Sequence, residues 1–212
     1  MNNNITIGII AKDKNIDNQN YQVISKNNIK YIHNKCNYIA ILNYDNSLID
    51  TNILNKCDGI IFQGGKDIYP YHFQILEYCI NHNIPVLGIC MGHQIIGLYS
   101  NNSQNEDDLI KVDNHNNINA IHKIATTKES VLNNTLGDTF EVNTRHDYAL
   151  KGVQKPFKVT AYSEDNVIEA IEYVDGKHFI IGVQFHPEDL KNTENLYNYF
   201  IKEIIKRKKL NI

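Results

Sequence analysis

Three short segments hold residue types whose chemistry depends on their neighbours. In residues 86–94 (V-L-G-I-C-M-G-H-Q) an apolar run meets Cys90, with Gly88 and Gly92 two positions to either side and a helical pattern after it. A strand that turns sharply into a helix needs small residues around the turn, and it raises the central side chain as a nucleophile. The turn also sets the thiol at a helix N-terminus, where the dipole favours negative charge, and points the Met91 N–H at the same space. The blander reading is a small buried hydrophobe between two turn glycines. In residues 183–188 (V-Q-F-H-P-E) an apolar strand ends in His186, with Glu188 two positions on. An imidazole can take a thiol proton, and a carboxylate can fix its tautomer. Alone, the triplet reads as a surface histidine before a helix-start glutamate; beside a cysteine elbow it acquires a use. In residues 58–70 a Gly64-Gly65 pair follows a third apolar run. Such a pair can turn backbone N–H groups outward, and one of them with Met91 N–H would hold an oxyanion. Otherwise it is a plain turn.

The elements that must position these residues alternate. Residues 5–11, 38–42, 59–62 and 85–89 read as strands; 21–35, 71–81 and 93–99 have helical spacing. Strands alternating with helices predict parallel β-α-β units with helices on both sheet faces. The second half changes character. Residues 120–126, 158–163, 167–173 and 179–184 are successive strand-like runs, the last two joined by a hairpin turn at Asp175-Gly176, and 192–208 is a closing helix. The expected fold is an open α/β sheet with an antiparallel extension and a site beyond the carboxyl ends of its strands. Two Asn-rich patches, 101–105 and 113–119, read as exposed loops.

Composition narrows the function. The 212 residues, 42 % hydrophobic and 21 % charged, suit one globular domain spanning 1–212. A net charge of −3 argues against a nucleic-acid groove or polybasic membrane surface. Apolar runs reach only about six residues, against about twenty for a membrane span. Residues 1–4 lack the charged and apolar regions of a secretory signal, so the cytoplasm is the expected compartment. The four cysteines form no C-x-x-C pair, and Cys36, Cys57 and Cys79 read as plain thiols. His33, His72, His82, His115, His122 and His178 show no ligand spacing and read as surface or loop residues; His93 reads as structural. Asn and Ile make up roughly 30 % of the chain, which weakens propensity arguments.

Together the segments resemble the class I (triad) glutamine amidotransferase superfamily, and within it the γ-glutamyl-γ-aminobutyrate hydrolase-like (peptidase C26) branch. G-I-C-M-G-H-Q at 88–94 is similar to the nucleophile signature, G-V-Q-F-H-P-E at 182–188 to the His/Glu signature, and G-G-K-D-I-Y-P at 64–70 to the branch's G-G-x-D-I-x-P. Residues 142–147 (V-N-T-R-H-D) and 167–172 (V-I-E-A-I-E) resemble two further segments, so the likeness runs in order from Ile5 to about Phe200. It implies a flavodoxin-like three-layer fold and a γ-glutamyl thioester on Cys90 that water then hydrolyses. His186 would be the acid/base, Glu188 its orienter, and Gly65 (less so Gly64) and Met91 the oxyanion donors. Gln94 and His146 would contact substrate, and no metal or organic cofactor is implied. The chain departs from the branch in two places. Only residues 71–84 separate Pro70 from Pro85, a stretch usually longer, which implies an open pocket or one completed by another chain. T-R-H-D-Y-A at 144–149 replaces the usual paired histidines, and Arg145 could clamp the glutamyl α-carboxylate.

The leading expectation is a hydrolase of a small γ-glutamyl amide, releasing glutamate from an amine, amino acid or amidate. A second is a glutaminase subunit feeding ammonia to a separate synthase; the chain would then act with that partner, or else as a homodimer. A third, a non-catalytic binding or regulatory module on the same fold, is disfavoured because all three triad positions are filled.

Overall fold

The computed structural model describes residues 4–210, and its central strands, Thr6–Ile10, Gly59–Phe62, Val86–Ile89 and Ile180–Val183, lie where the apolar runs do. The first is β1 (Thr6–Ile10), followed by a short hairpin, β2 (Lys12–Ile16) and β3 (Gln19–Val23), then β4 (Asn37–Ile41). One helical turn, α1 (Thr51–Leu54), precedes β5 (Gly59–Phe62); α2 (Pro70–Asn81), β6 (Val86–Ile89) and α3 (Met91–Ser100) follow. The second half holds β7 (Ile110–Lys111), β8 (Asn116–Thr126), α4 (Val131–Leu136), β9 (Thr139–Arg145) and β10 (Tyr148–Ala149). It ends with β11 (Phe157–Ser163), β12 (Ile168–Tyr173), β13 (Ile180–Val183) and α5 (Glu194–Leu210).

Nine strands form one sheet in the order β4-β1-β5-β6-β13-β12-β11-β8-β9. From β4 to β13 the neighbours are parallel; from β13 to β9 they are antiparallel. The mostly parallel sheet with an antiparallel extension is the architecture the alternation predicts. Alternate side chains feed two cores. Ile7, Ile9, Ile61, Leu87 and Ile89 pack with Leu196, Phe200 and Ile204 of α5. Ile10, Ile60, Phe62 and Val86 pack with Ile75, Leu76, Ile95 and Ile96 of α2 and α3. Strands buried on both faces explain the unbroken apolar runs, and each fully buried isoleucine contributes about 1.5–3 kcal/mol.

Two sequence expectations are corrected. The helix expected over 21–35 is instead the end of the β2–β3 hairpin, a 3-10 turn at Lys26–Ile29 and further turns. Asp17 and Asn18, at φ 50° and 61°, form a two-residue hairpin turn that these side chains tolerate. The Asn-rich segment after it has little helical propensity to compete. The loop expected over 113–119 is already strand from Asn116, paired with Arg145 of β9, with a register shift before Ile121. The hairpin at Asp175-Gly176 is present, with Gly176 at φ 74°.

A buried amide anchors the irregular segment after β3. Gln63, 1 % exposed, donates to the carbonyls of Ile10 (2.8 Å) and Val23 (2.9 Å). Its oxygen accepts from Ser25 N–H (3.1 Å) and Asn28 Nδ2 (3.0 Å). Replacing it with an apolar isostere leaves these partners unpaired in the interior, each at a desolvation cost. Gln63→Leu is therefore expected to lower stability by about 2–4 kcal/mol in urea unfolding; a loss below about 0.5 kcal/mol would show that the amide anchors nothing.

Candidate active site

β6 ends at Ile89, and Cys90 stands between it and the first residue of α3. Its backbone is at φ 51°, ψ −101°, a left-handed conformation that a non-glycine residue resists. Close packing imposes it. A Cβ on Gly92 would lie 2.5 Å from the Phe62 carbonyl oxygen, and one on Gly88 2.6 Å from that of Gly92. The two flanking glycines thus let α3 start against β5 and β6. Cys90 N–H donates to the Val183 carbonyl at 2.8 Å, tying the elbow to β13. The Met91 amide heads α3, among the N–H groups a helix leaves without an internal acceptor.

His186 follows β13 and opens a 3-10 turn, Pro187–Asp189. Its backbone is bracketed by one side chain: Asn143 of β9 accepts from His186 N–H (2.8 Å) and donates to the His186 carbonyl (2.9 Å). Nδ1 lies 2.8 Å from Glu188 Oε1, which leaves Nε2 for Cys90. Burial alone would lower the pKa of this imidazole; hydrogen bonds with Cys90 and Glu188 outweigh it and push the value up to about 9. Gly64 closes the other side, where a Cβ would sit 2.5 Å from His186 Cε1 and 3.4 Å from Cys90 Cβ. At Gly65 a Cβ would meet Met91 Sδ at 2.8 Å, so both glycines of the pair border the elbow. The other three cysteines are buried and free. Desolvation raises Cys36 to about 11, Cys57 to about 12 and Cys79 further still.

The side chains expected at the substrate are engaged elsewhere. Gln94 donates to the Tyr148 carbonyl (2.8 Å) and to Gln184 Oε1 (3.3 Å). Arg145 is not the free guanidinium expected to clamp a carboxylate, because Asp189, one residue past Glu188, pairs with it. His146 is 4 % exposed and set behind the site, its Nδ1 bonded to the Tyr148 carbonyl and its Nε2 facing His115. Two histidines expected at the surface are buried, His72 at 1 % and His115 at 3 % exposed. His93 is fully buried beneath Gly182 of β13, a structural place.

Two residues were missed. Gln184, fully buried, lies with Nε2 3.7 Å from Cys90 Sγ and joins the thiol to Gln94. Asn143 is the bracket on His186. Both fall inside the motifs named above. The available signal was a polar residue at the end of, or within, an apolar strand, since a buried amide needs partners.

A family model described as Peptidase C26 matches residues 5–188. The chain is 31 % identical over 172 residues to a glutamine-hydrolysing GMP synthase subunit of Methanosphaera stadtmanae, covering 78 % of this chain and 87 % of that protein. It is 28 % identical over 183 residues to "Protein NtpR" of Enterococcus hirae, covering 71 % and 76 %. Among solved structures, the glutaminase domain of Trypanosoma brucei CTPS with bound acivicin superposes with TM-score 0.69 at 16 % identity, covering 95 % and 94 % of the two chains. That likeness is one of fold. Among the described residues no helix is long and apolar enough to cross a membrane.

The raised pKa of His186 has a signed consequence. Its folded-state value lies above the ordinary one near 6.5, so the stabilisation is full below that pH and is lost as pH rises through about 9. In Cys90→Ala and in Glu188→Gln the His186 midpoint, followed by NMR of the ring protons, is expected to fall. An unchanged midpoint in both would remove these two partners as its cause.

Proposed function

The chain belongs to the peptidase C26 family of the class I glutamine amidotransferase superfamily, and on that premise we propose that it is a cysteine-dependent hydrolase of γ-glutamyl amide bonds. The observation that carries the reading is the line from Cys90 through His186 to Glu188, with the nucleophile on a left-handed elbow. His186 Nε2 takes the Cys90 thiol proton as Sγ attacks the γ-carbonyl carbon, and the oxygen that becomes negative is held by the N–H groups of Met91 and Gly65. The C–N bond breaks as His186 gives its Nε2 proton to the leaving nitrogen, leaving a γ-glutamyl thioester. Water then attacks the thioester carbon, His186 takes one of its protons, and that proton passes to the sulfur as the C–S bond breaks to free glutamate and the thiol. Glu188 holds the imidazole in one tautomer through both halves and balances its charge. No step calls on a metal or an organic cofactor.

The relatives favour a second reading. A protein named as a glutamine-hydrolysing GMP synthase subunit is similar over most of both chains. This chain would then release ammonia from glutamine for a separate synthase. The thioester chemistry is the same in both readings; only the leaving group and the partner differ. In either case we place the protein in the cytoplasm, with a small γ-glutamyl compound as substrate.

One experiment separates them: mass-spectrometric turnover of glutamine and a panel of γ-glutamyl amines, dipeptides and amidates. Release of glutamate from one γ-glutamyl amide, absent in Cys90→Ala, is the outcome expected of a hydrolase. Hydrolysis of glutamine alone would transfer the assignment to the glutaminase reading. Full activity in Cys90→Ala would overturn both. Glu188→Gln is expected to cost about 10²–10⁴ in kcat with folding unchanged.

A further inference from the structure

Behind the wall that carries Gln94, three side chains converge that the proposed chemistry does not use. His115 immediately precedes β8, His146 immediately follows β9, and the His146 N–H donates to the His115 carbonyl (2.9 Å), which sets the two rings side by side. Glu169 comes in from β12. All three are buried, Glu169 completely.

Each imidazole has one nitrogen already assigned. His115 Nε2 is 2.9 Å from Asp165 Oδ2, and His146 Nδ1 is 3.1 Å from the Tyr148 carbonyl. Both partners are acceptors, so those nitrogens carry the proton of a neutral ring. The remaining nitrogens, His115 Nδ1 and His146 Nε2, therefore present lone pairs, and they face each other at 3.2 Å. Thr144 Oγ1 lies 3.0 Å from His115 Nδ1, but it has a single proton and its shorter bond, 2.7 Å, runs to the His115 carbonyl. Glu169 Oε1 is 3.8 Å from each of the two nitrogens, beyond hydrogen-bond reach. His122 Nε2 stands 3.1 Å from Oε1 and, among the described residues, is the one imidazole within reach of the carboxylate. Two lone pairs and a buried carboxylate converging on one point make a donor set that a cation between them would satisfy.

We propose that His115 Nδ1, His146 Nε2 and Glu169 Oε1 bind a divalent transition-metal ion of the zinc type. The centre of the triangle they form is about 2.1 Å from each corner, the bond length zinc takes to imidazole nitrogen and carboxylate oxygen. The outer contacts have the form such sites need: a carboxylate and a backbone carbonyl orient the two imidazoles through their far nitrogens. His122 backs the glutamate. The ion would brace the wall of the active site. The Tyr148 carbonyl that holds His146 also holds Gln94, and the Glu169 carbonyl accepts from Gln184 N–H at 2.9 Å. The site is separate from the Cys90 chemistry and does not rest on the γ-glutamyl reading.

The test is titration of metal-stripped protein with Co²⁺, read by visible absorption, and with Zn²⁺, read by melting temperature. One cobalt per chain is expected, with the d–d bands of a low-coordinate nitrogen and oxygen site and no thiolate charge-transfer band. Zn²⁺ should raise the melting temperature, and Cys90→Ala should bind as the wild type does. Glu169→Gln is expected to weaken binding by roughly 100-fold or more, and Asp165→Asn, at a residue with a 59 % exposed side chain that leaves the core intact, by about 10-fold. If Glu169→Gln fails to fold, the Asp165 variant decides. No stoichiometric cobalt binding, a thiolate band that disappears in Cys90→Ala, or affinity undiminished in Asp165→Asn would each overturn the proposal.

Discussion

Cys90 sits at φ 51°, ψ −101°, and the surrounding packing is arranged around that backbone. A non-glycine residue there costs on the order of 1–3 kcal/mol unless its surroundings fix it. The fixing is visible from three sides. β13 accepts the Cys90 N–H, the Phe62 carbonyl at the end of β5 presses on Gly92, and Ile95 and Ile96 of α3 are locked in the core with β5 and β6. Relaxing the elbow would pull α3 out of that core. The strain is therefore held by apolar burial: at about 1.5–3 kcal/mol for each fully buried side chain, Ile95 and Ile96 together offset it.

That constraint explains why so few polar groups complete the site. With the thiol fixed at the junction of β6 and α3, the imidazole beside it comes from the parallel neighbour, and β13 ends beside β6 in register, Val183 opposite Ile89. His186 lies three residues beyond Val183, and the Asn143 bracket sets its backbone from the far edge of the sheet. Glu188 needs only the turn at Pro187 to reach Nδ1. Gln184 uses the same strand end to reach Cys90 and Gln94 together. The amides at Gln63, Asn143 and Gln184 are each bonded at both ends, which is how a buried polar side chain can specify geometry without destabilising the core.

Much of this was legible in the chain. The β-α-β order, the glycines around Cys90 and the His186–Glu188 spacing are local features. Their physical requirements, namely apolar faces, small residues at a tight turn, and a carboxylate within reach of an imidazole, are met by residues close in sequence. What escaped was partly local and partly not. Asp17 and Asn18 tolerate the positive φ of a hairpin turn, but Asn is abundant throughout, and Ile24, Ile29 and Ile32 fall at helical intervals by coincidence. His115 and Glu169 are remote in sequence, and only the pairing of β8 with β9 and the approach of β12 bring them together with His146. Arg145 was legible as an arginine beside the site, but its partner Asp189 lies 44 positions away.

The site lies where the parallel core meets the antiparallel extension. The thiol, the imidazole, the carboxylate and the Gly-Gly turn sit at the ends of β5, β6 and β13, inside the parallel core that the two apolar layers clamp. The residues beside that centre on β9, at the β9–β10 junction and on β12 belong to the antiparallel extension, where register shifts and a two-stranded pairing of β7 with β10 take over from continuous sheet. The segment that links β5 to β6 holds the Gly64-Gly65 turn and α2. The extension carries the Arg145–Asp189 pair at its surface and the His115–His146–Glu169 cluster in its interior. Both join residues distant in sequence, in the part of the chain where local sequence rules carry least information.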